Sequence, residues 1–298
     1  MRFDRYYLLK LKYLLPLYAI LAWGSVLVLG FLRWWLFLGK YPIVEMDEDI
    51  WQYWIPAFFP AVPVLVSLKP RFNRLYVGKN GKRRNELPEA IAWLTIALML
   101  IFSQHYLTTS TGTLLEVENV KAIGKQERAR YYRIKSFAVH RPIGGVSYAF
   151  RKSGKFNARL DMHIYFAHPI LTHKRQPITM TPLYWYGVKF HKQISNLGSN
   201  ATKQQKFEKF FHECVAKMQN YDFYHIDHFE HKPASFDREN FRRAVGNALQ
   251  KRINNDFMIL QPVSKSAESR NANMFALITG TFLIGSAGLA FTLKSRRR

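Results

Sequence analysis

The chain has 298 residues, with 44 Lys and Arg against 20 Asp and Glu, a formal net charge of +24 and a pI near 10.1. In a soluble protein that balance would point to nucleic acid. Here much of the positive charge sits beside four long apolar stretches, where it directs insertion and faces anionic lipid, so no nucleic-acid partner is expected. The single cysteine, Cys214, excludes an intramolecular disulfide, so any folded domain must rest on an ordinary core.

The first apolar stretch runs from Tyr13 to Leu32 and continues past Arg33 to Leu38. The second is Trp51 to Leu68, the third Pro88 to Leu107 and the fourth Met274 to Leu293. Each is long enough to cross a hydrocarbon core of roughly 30 Å as a helix. Pro56, Pro60 and Pro63 predict a kinked second span, tolerated where neighbouring helices satisfy the freed carbonyls. The first stretch has a basic leading segment but too long an apolar run, and no small-residue cleavage site, for a signal peptide. It reads as an uncleaved signal-anchor.

The flanking charges alternate in order. Arg2, Arg5, Lys10 and Lys12 precede the first span, and Glu45, Asp47, Glu48 and Asp49 follow it. Lys69, Arg71, Arg74, Lys79, Lys82, Arg83 and Arg84 lie between the second and third spans, and Lys294, Arg296, Arg297 and Arg298 end the chain. The positive-inside rule then places both termini in the cytoplasm and residues 108–273 outside. That segment is basic too, but loops beyond about 60 residues translocate largely regardless of charge. Trp34, Trp35, Trp51 and Trp54 fall at the outer ends of the first two spans, where amphipathic rings settle at the interface. The expected location is a bacterial cytoplasmic membrane.

The outer segment predicts an α+β domain. A strand is expected over Tyr131 to His140 and a hairpin over Val146 to Arg151 and Ala158 to Ala167, with its turn at Ser153-Gly154-Lys155. A Pro-punctuated stretch then leads to an aromatic run, Leu183 to Phe190. Two amphipathic helices follow: Thr202 to Asn220, capped by Asn200 or Thr202, and Ser235 to Arg252. Short strands are expected at Phe223 to Phe229 and Phe257 to Val263, with polar linkers at Thr108 to Thr113 and Ser264 to Asn273. The organisation is therefore three spans in 1–107, an extracytoplasmic domain in 108–273, and a fourth span with a basic tail in 274–298.

Candidate chemistry is sparse. His225, His228 and His231 recur at threes, a ligand spacing on a helix, but a strand turns His228 away from the other two. His163, His168 and His173 read as core or solvated histidines. Cys214 and His212 are two apart on a helix and do not face each other. Arg33, Glu89, Ser103, Gln104 and His105 are polar groups within or at the ends of spans, and such groups are functional suspects by default. Headgroup contacts, helix pairing or, for Glu89, a helix N-terminus explain them equally well. Gly280, Thr281, Gly285 and Gly288 give the last span a small-residue surface for close packing, either inside the chain's own bundle or as a dimer seam. No cofactor is implied.

Several stretches together resemble a known arrangement: Trp51-Gln52-Tyr53-Trp54-Ile55-Pro56; Ile91 to Ala97 leading to Gln104-His105-Tyr106-Leu107; Asp161 to Phe166; and His191 to Asn196. Their order resembles the N-terminal membrane region of rhomboid-family intramembrane protease proteins from Bacteroidetes-type bacteria, over nearly the whole chain. These are framework motifs. The family's protease needs a membrane-buried Gly-x-Ser-Gly turn and a histidine on another span. Here Gly285-Ser286-Ala287-Gly288 places the serine one position early, and no later span offers the histidine. The resemblance therefore implies docking, substrate presentation or regulation rather than proteolysis. The expectation is a non-enzymatic membrane protein whose outer domain binds an envelope or membrane protein, with membrane lipid and a homo-oligomer as further partners. A channel, transporter or larger-assembly subunit, and a metal-dependent hydrolase using the outer histidines, are the rival expectations.

Overall fold

A computed structural model describes residues 5–38, 47–75, 86–127, 129–177, 182–251, 257–267 and 273–293. The flanking charges at Arg2, Glu45, Lys79, Lys82, Arg83, Arg84, Lys294 and Arg296 to Arg298 lie outside them. The chain divides into two compact units, residues 1–111 with 270–298, and residues 112–269.

The first unit holds four helices long and apolar enough to cross a membrane. They are α1 (Arg5–Arg33), α2 (Ile50–Leu75), α3 (Glu86–Thr111) and α6 (Met274–Leu293), numbered with the two helices of the second unit between them. α1 buries Leu14, Tyr18, Ala22, Ser25, Leu29 and Arg33, one residue per turn along a single stripe, while Ile20, Leu27 and Phe31 point outward. α3 is the most buried, through Ala92, Thr95, Ile96, Met99, Leu100, Ser103, Gln104 and Thr108. α6 meets it through Gly285, and a methyl group there would fall 2.3 Å from the Thr95 side chain. Helix α2 breaks at Phe59 and Pro60, and near the break the Ala57 carbonyl accepts from Trp93 Nε1 at 3.0 Å. That is how a neighbouring helix accommodates a proline-rich span.

The second unit is a mixed eight-stranded sheet with one helix on each face. The strands are β1 (Leu114–Asn119), β2 (Tyr131–Ser136), β3 (Ala138–Val139), β4 (Gly145–Ser153), β5 (Arg159–Leu171), β6 (Tyr184–Ser195), β7 (His228–His231) and β8 (Met258–Val263). Their order is β1-β2-β7-β8-β6-β5, and β4 and β3 share the outer edge of β5. Alternation assigns the two faces. Met162, Ile164, Phe166 and Val188 pack under Phe210, Cys214 and Met218 of α4 (Asn200–Gln219). Tyr165, Ala167 and Trp185 pack under Phe241, Ala244 and Val245 of α5 (Phe236–Leu249). Gly145 lets α5 approach β4 so closely that a Cβ there would lie 1.8 Å from the Ala244 carbonyl oxygen.

Five local expectations change. The single strand expected over Tyr131 to His140 splits after Ser136, and its end, β3, pairs with β5 instead of extending β2. The α4 cap is Ser199, whose side chain accepts from Thr202 N, rather than Asn200 or Thr202. Strand β1 was not expected; it pairs in parallel with β2 through a 3-10 turn at Val120–Lys125. Thr108 is no linker residue, because α3 continues to Thr111. The Phe223 to Phe229 segment forms a strand only from His228, since Asp222 turns the backbone by accepting from Tyr224 N at 2.9 Å and Phe223 drops into the core.

Candidate functional site

The stripe of α1 ends on a charge. Arg33 is only 5% exposed, at a depth where leucines would otherwise continue the stripe. Its guanidinium donates to the Gln104 carbonyl (2.8 Å), to Gln104 Oε1 (3.3 Å) and to Thr108 Oγ1 (2.8 Å). The rigid donor fork thus ties α1 to one face of α3. Gln104 is fully buried, and its Nε2 has no hydrogen-bond partner among the described residues. One residue on, His105 Nδ1 lies 2.7 Å from Gln52 Nε2, which links α3 to α2. Ser103 donates to the carbonyl of Leu100 on its own helix at 2.8 Å. Glu89, at the other end of α3, lies 3.7 Å from Lys69. Three of the intramembrane candidates therefore join in a latch between helices, and Ser103 and Glu89 stand outside it. On α6, Gly285 and Gly288 face Thr95 and Ile91, while a Cβ at Gly280 would meet nothing within 4 Å among the described residues and Thr281 is half-buried.

The sheet-domain histidines separate. His225 is exposed and outside any strand. His228 is buried, held by Asp227 Oδ2 at 2.9 Å from its Nδ1 and edge-on to Tyr131. His231 lies 3.4 Å from Arg238. Among the described residues no group of three or more His, Cys, Asp or Glu side chains could hold a metal ion. Burial in the core pushes the Cys214 thiol up to about 11, which disfavours the thiolate.

The densest polar group lies where the sequence marked no site. The β5–β6 register sets Asp161 opposite Gln193, His163 opposite His191 and Tyr165 opposite Lys189. All six share the α5 face, at and beyond the N-terminus of that helix. Lys189 Nζ contacts both oxygens of Asp237 on α5 (2.7 and 2.9 Å), and Tyr165 donates to the same carboxylate at 2.8 Å. Burial alone would raise Asp237, but Lys189 and Tyr165 outweigh it and hold the carboxyl below its usual range. Asp161 accepts from Ser153 Oγ (2.5 Å) and Gln193 Nε2 (2.7 Å) and lies 3.1 Å from His191 Nε2. Those bonds hold its carboxyl down to about 2. The His163 and His191 rings stack at 4.7 Å. Burial, then the charge of Lys189, pushes His163 down to about 4, so it is neutral at pH 7.

The order of these contacts decides what the row can do. Ser153 and His191 both bond Asp161, so the serine hydroxyl is held by a carboxylate and not by the imidazole that would have to take its proton. The result is a fixed ladder of donors and acceptors, with His191 half exposed on its middle rung. The signal was present as polar residues at period two, Asp161, His163 and Tyr165 against Lys189, His191 and Gln193. What hid it was the long Pro-rich connection, from which no register between the two strands can be read.

No family model, no curated protein and no solved structure matches the chain.

Proposed function

We propose that this is a multi-pass protein of a bacterial cytoplasmic membrane whose second unit lies on the outer side and binds an envelope protein, the four spans serving as its anchor. The observation that carries the binding reading is the ladder on β5 and β6. It presents hydrogen-bonding and charged groups in fixed positions beyond the end of α5, with no nucleophile paired to a base. The charge alternation along the sequence supports the orientation, with both termini inside. The order of motifs supports a role like that of the non-protease region of rhomboid-family proteins, in docking or presentation. Notably, Asp161 to Phe166 and His191 to Asn196, two of the stretches behind that resemblance, are the two sides of the ladder.

The test is purification of the full chain in mild detergent, with mass spectrometry of what accompanies it. A stoichiometric envelope protein is expected, lost on His191→Glu, which places a second carboxylate beside Asp161. A homo-oligomer carrying nothing else, or a partner indifferent to the ladder, contradicts the reading.

A further inference from the structure

The β4–β5 turn ends in an unusual residue. Phe156 is 90% exposed, and both it and Asn157 have left-handed backbone conformations (φ 57° and 56°). A bulky side chain in that region is a genuine outlier, and such outliers persist where the surroundings enforce them. Here the surroundings do enforce it. Asn157 N donates to the Gly154 carbonyl (3.1 Å), Asn196 Nδ2 to the Asn157 carbonyl (2.8 Å) and Asn196 N to the Ala158 carbonyl (2.8 Å). Those bonds tie the turn to the end of β6, where Leu197 is 77% exposed. Two large apolar side chains therefore stand in water at one tip of the sheet, held there by the backbone.

The charge in the two segments that carry them is of one sign, and the next acid after the turn, Asp161, is buried in the ladder. Residues 148–160 and 195–206 contain Arg151, Lys152, Lys155, Arg159, Lys203 and Lys206 and no Asp or Glu. Elsewhere in the domain, cations on the sheet are paired: Arg130 with Glu230, Arg133 with Glu116 and Asp227, Lys135 with Glu118 and Lys189 with Asp237. An apolar apex with an all-cationic collar matches the two layers of an anionic bilayer, apolar chains beneath negative headgroups. A protein surface would have to present a greasy socket ringed by acids, whereas an anionic membrane supplies that pattern everywhere. The chain already carries four helices apolar enough to span a bilayer, so tethering would make even a weak contact effective.

We infer that the turn at Gly154 to Asn157, with Leu197, is a lipid-inserting tip that recognises anionic bilayer surfaces. It is separate from the partner-binding ladder and stands or falls independently of it.

The full chain in nanodiscs of zwitterionic phosphatidylcholine is mixed with vesicles of phosphatidylcholine, with or without phosphatidylglycerol, and floated on a density gradient. Wild type co-floats with the phosphatidylglycerol vesicles. A Phe156→Ser, Leu197→Ser variant falls at least fivefold with an unchanged circular dichroism spectrum, and Phe156→Trp retains binding. A Cys214→Ala, Phe156→Cys protein labelled with an environment-sensitive fluorophore shifts to the blue with phosphatidylglycerol vesicles only. Equal flotation of wild type and the serine variant would assign the binding to other basic segments and overturn the proposal. So would loss of a copurifying protein in the serine variant with flotation unchanged, which would make the tip a protein contact.

Discussion

His163 shows how one side chain reports on the candidate site. It is flanked by the Lys189 charge and stacked on His191, and it stays neutral down to about pH 4. In the unfolded chain an ordinary histidine takes its proton at about 6.5. Between those values the unfolded state binds a proton that the folded state refuses, so stability must fall as pH drops from 6.5 towards 4. The slope from this residue is at most about 1.4 kcal/mol per pH unit. His168, also lowered by burial, adds a component of the same sign. The informative quantity is therefore a difference: His163→Phe should flatten the pH dependence of the domain's thermal midpoint between 6.5 and 4 relative to wild type. Equal slopes would mean that His163 titrates normally. The lowered carboxyls Asp161, Asp227 and Asp237 act elsewhere. Their stabilisation is complete above about pH 4 and is lost below it.

At the scale of elements, what was legible depended on whether a signal was local. The spans and the β4–β5 hairpin came from runs of apolar residues and from one glycine turn, both readable in a short window. The helix α5 came from its apolar spacing, with Ser235 at its start, and Ser235 does accept from Arg238 N. Strand β1 was missed because Leu114-Leu115-Glu116-Val117-Glu118-Asn119 carries two acids that weaken its strand signal. Those acids pair with Arg133 and Lys135 on β2, a partnership visible only once the strands lie side by side. The latch was half legible. Arg33, Gln104 and His105 stood out as polar groups near span ends, but Gln52 and Thr108 gained meaning only when the helices met. The small residues of α6 illustrate the same limit, since composition could not say which of them touch a neighbour. Gly285 is packed against Thr95, whereas a Cβ at Gly280 would have open space among the described residues. Gly285→Ala should lower the thermal midpoint of the full chain in detergent by several degrees, through a cost of about 1–3 kcal/mol for overpacking. Gly280→Ala should leave it unchanged or raise it slightly, because alanine is the better helix former. Equal effects at the two positions would mean that α6 does not lie against α3 through this face.

At the scale of the molecule, the two units divide the work that composition left mixed together. Four helices are long and apolar enough to cross a membrane. The sheet domain has two cores, one under each helix, so it needs no disulfide, in keeping with a single buried cysteine. The net charge of +24 also resolves into parts. Some of it flanks the spans, some is paired across the sheet, and a cluster with no ion pair among the described residues gathers at the Phe156 tip. The proposed function joins these through one claim, that residues 112–269 face the outside of the membrane. The single cysteine makes that claim directly testable. In a Cys214→Ala background, Lys121→Cys offers an exposed thiol in the domain. A membrane-impermeant maleimide should label it in intact cells and fail to label it in sealed inverted membrane vesicles. Labelling in the inverted vesicles alone would put the domain in the cytoplasm and contradict both the orientation and the envelope-partner reading built on it.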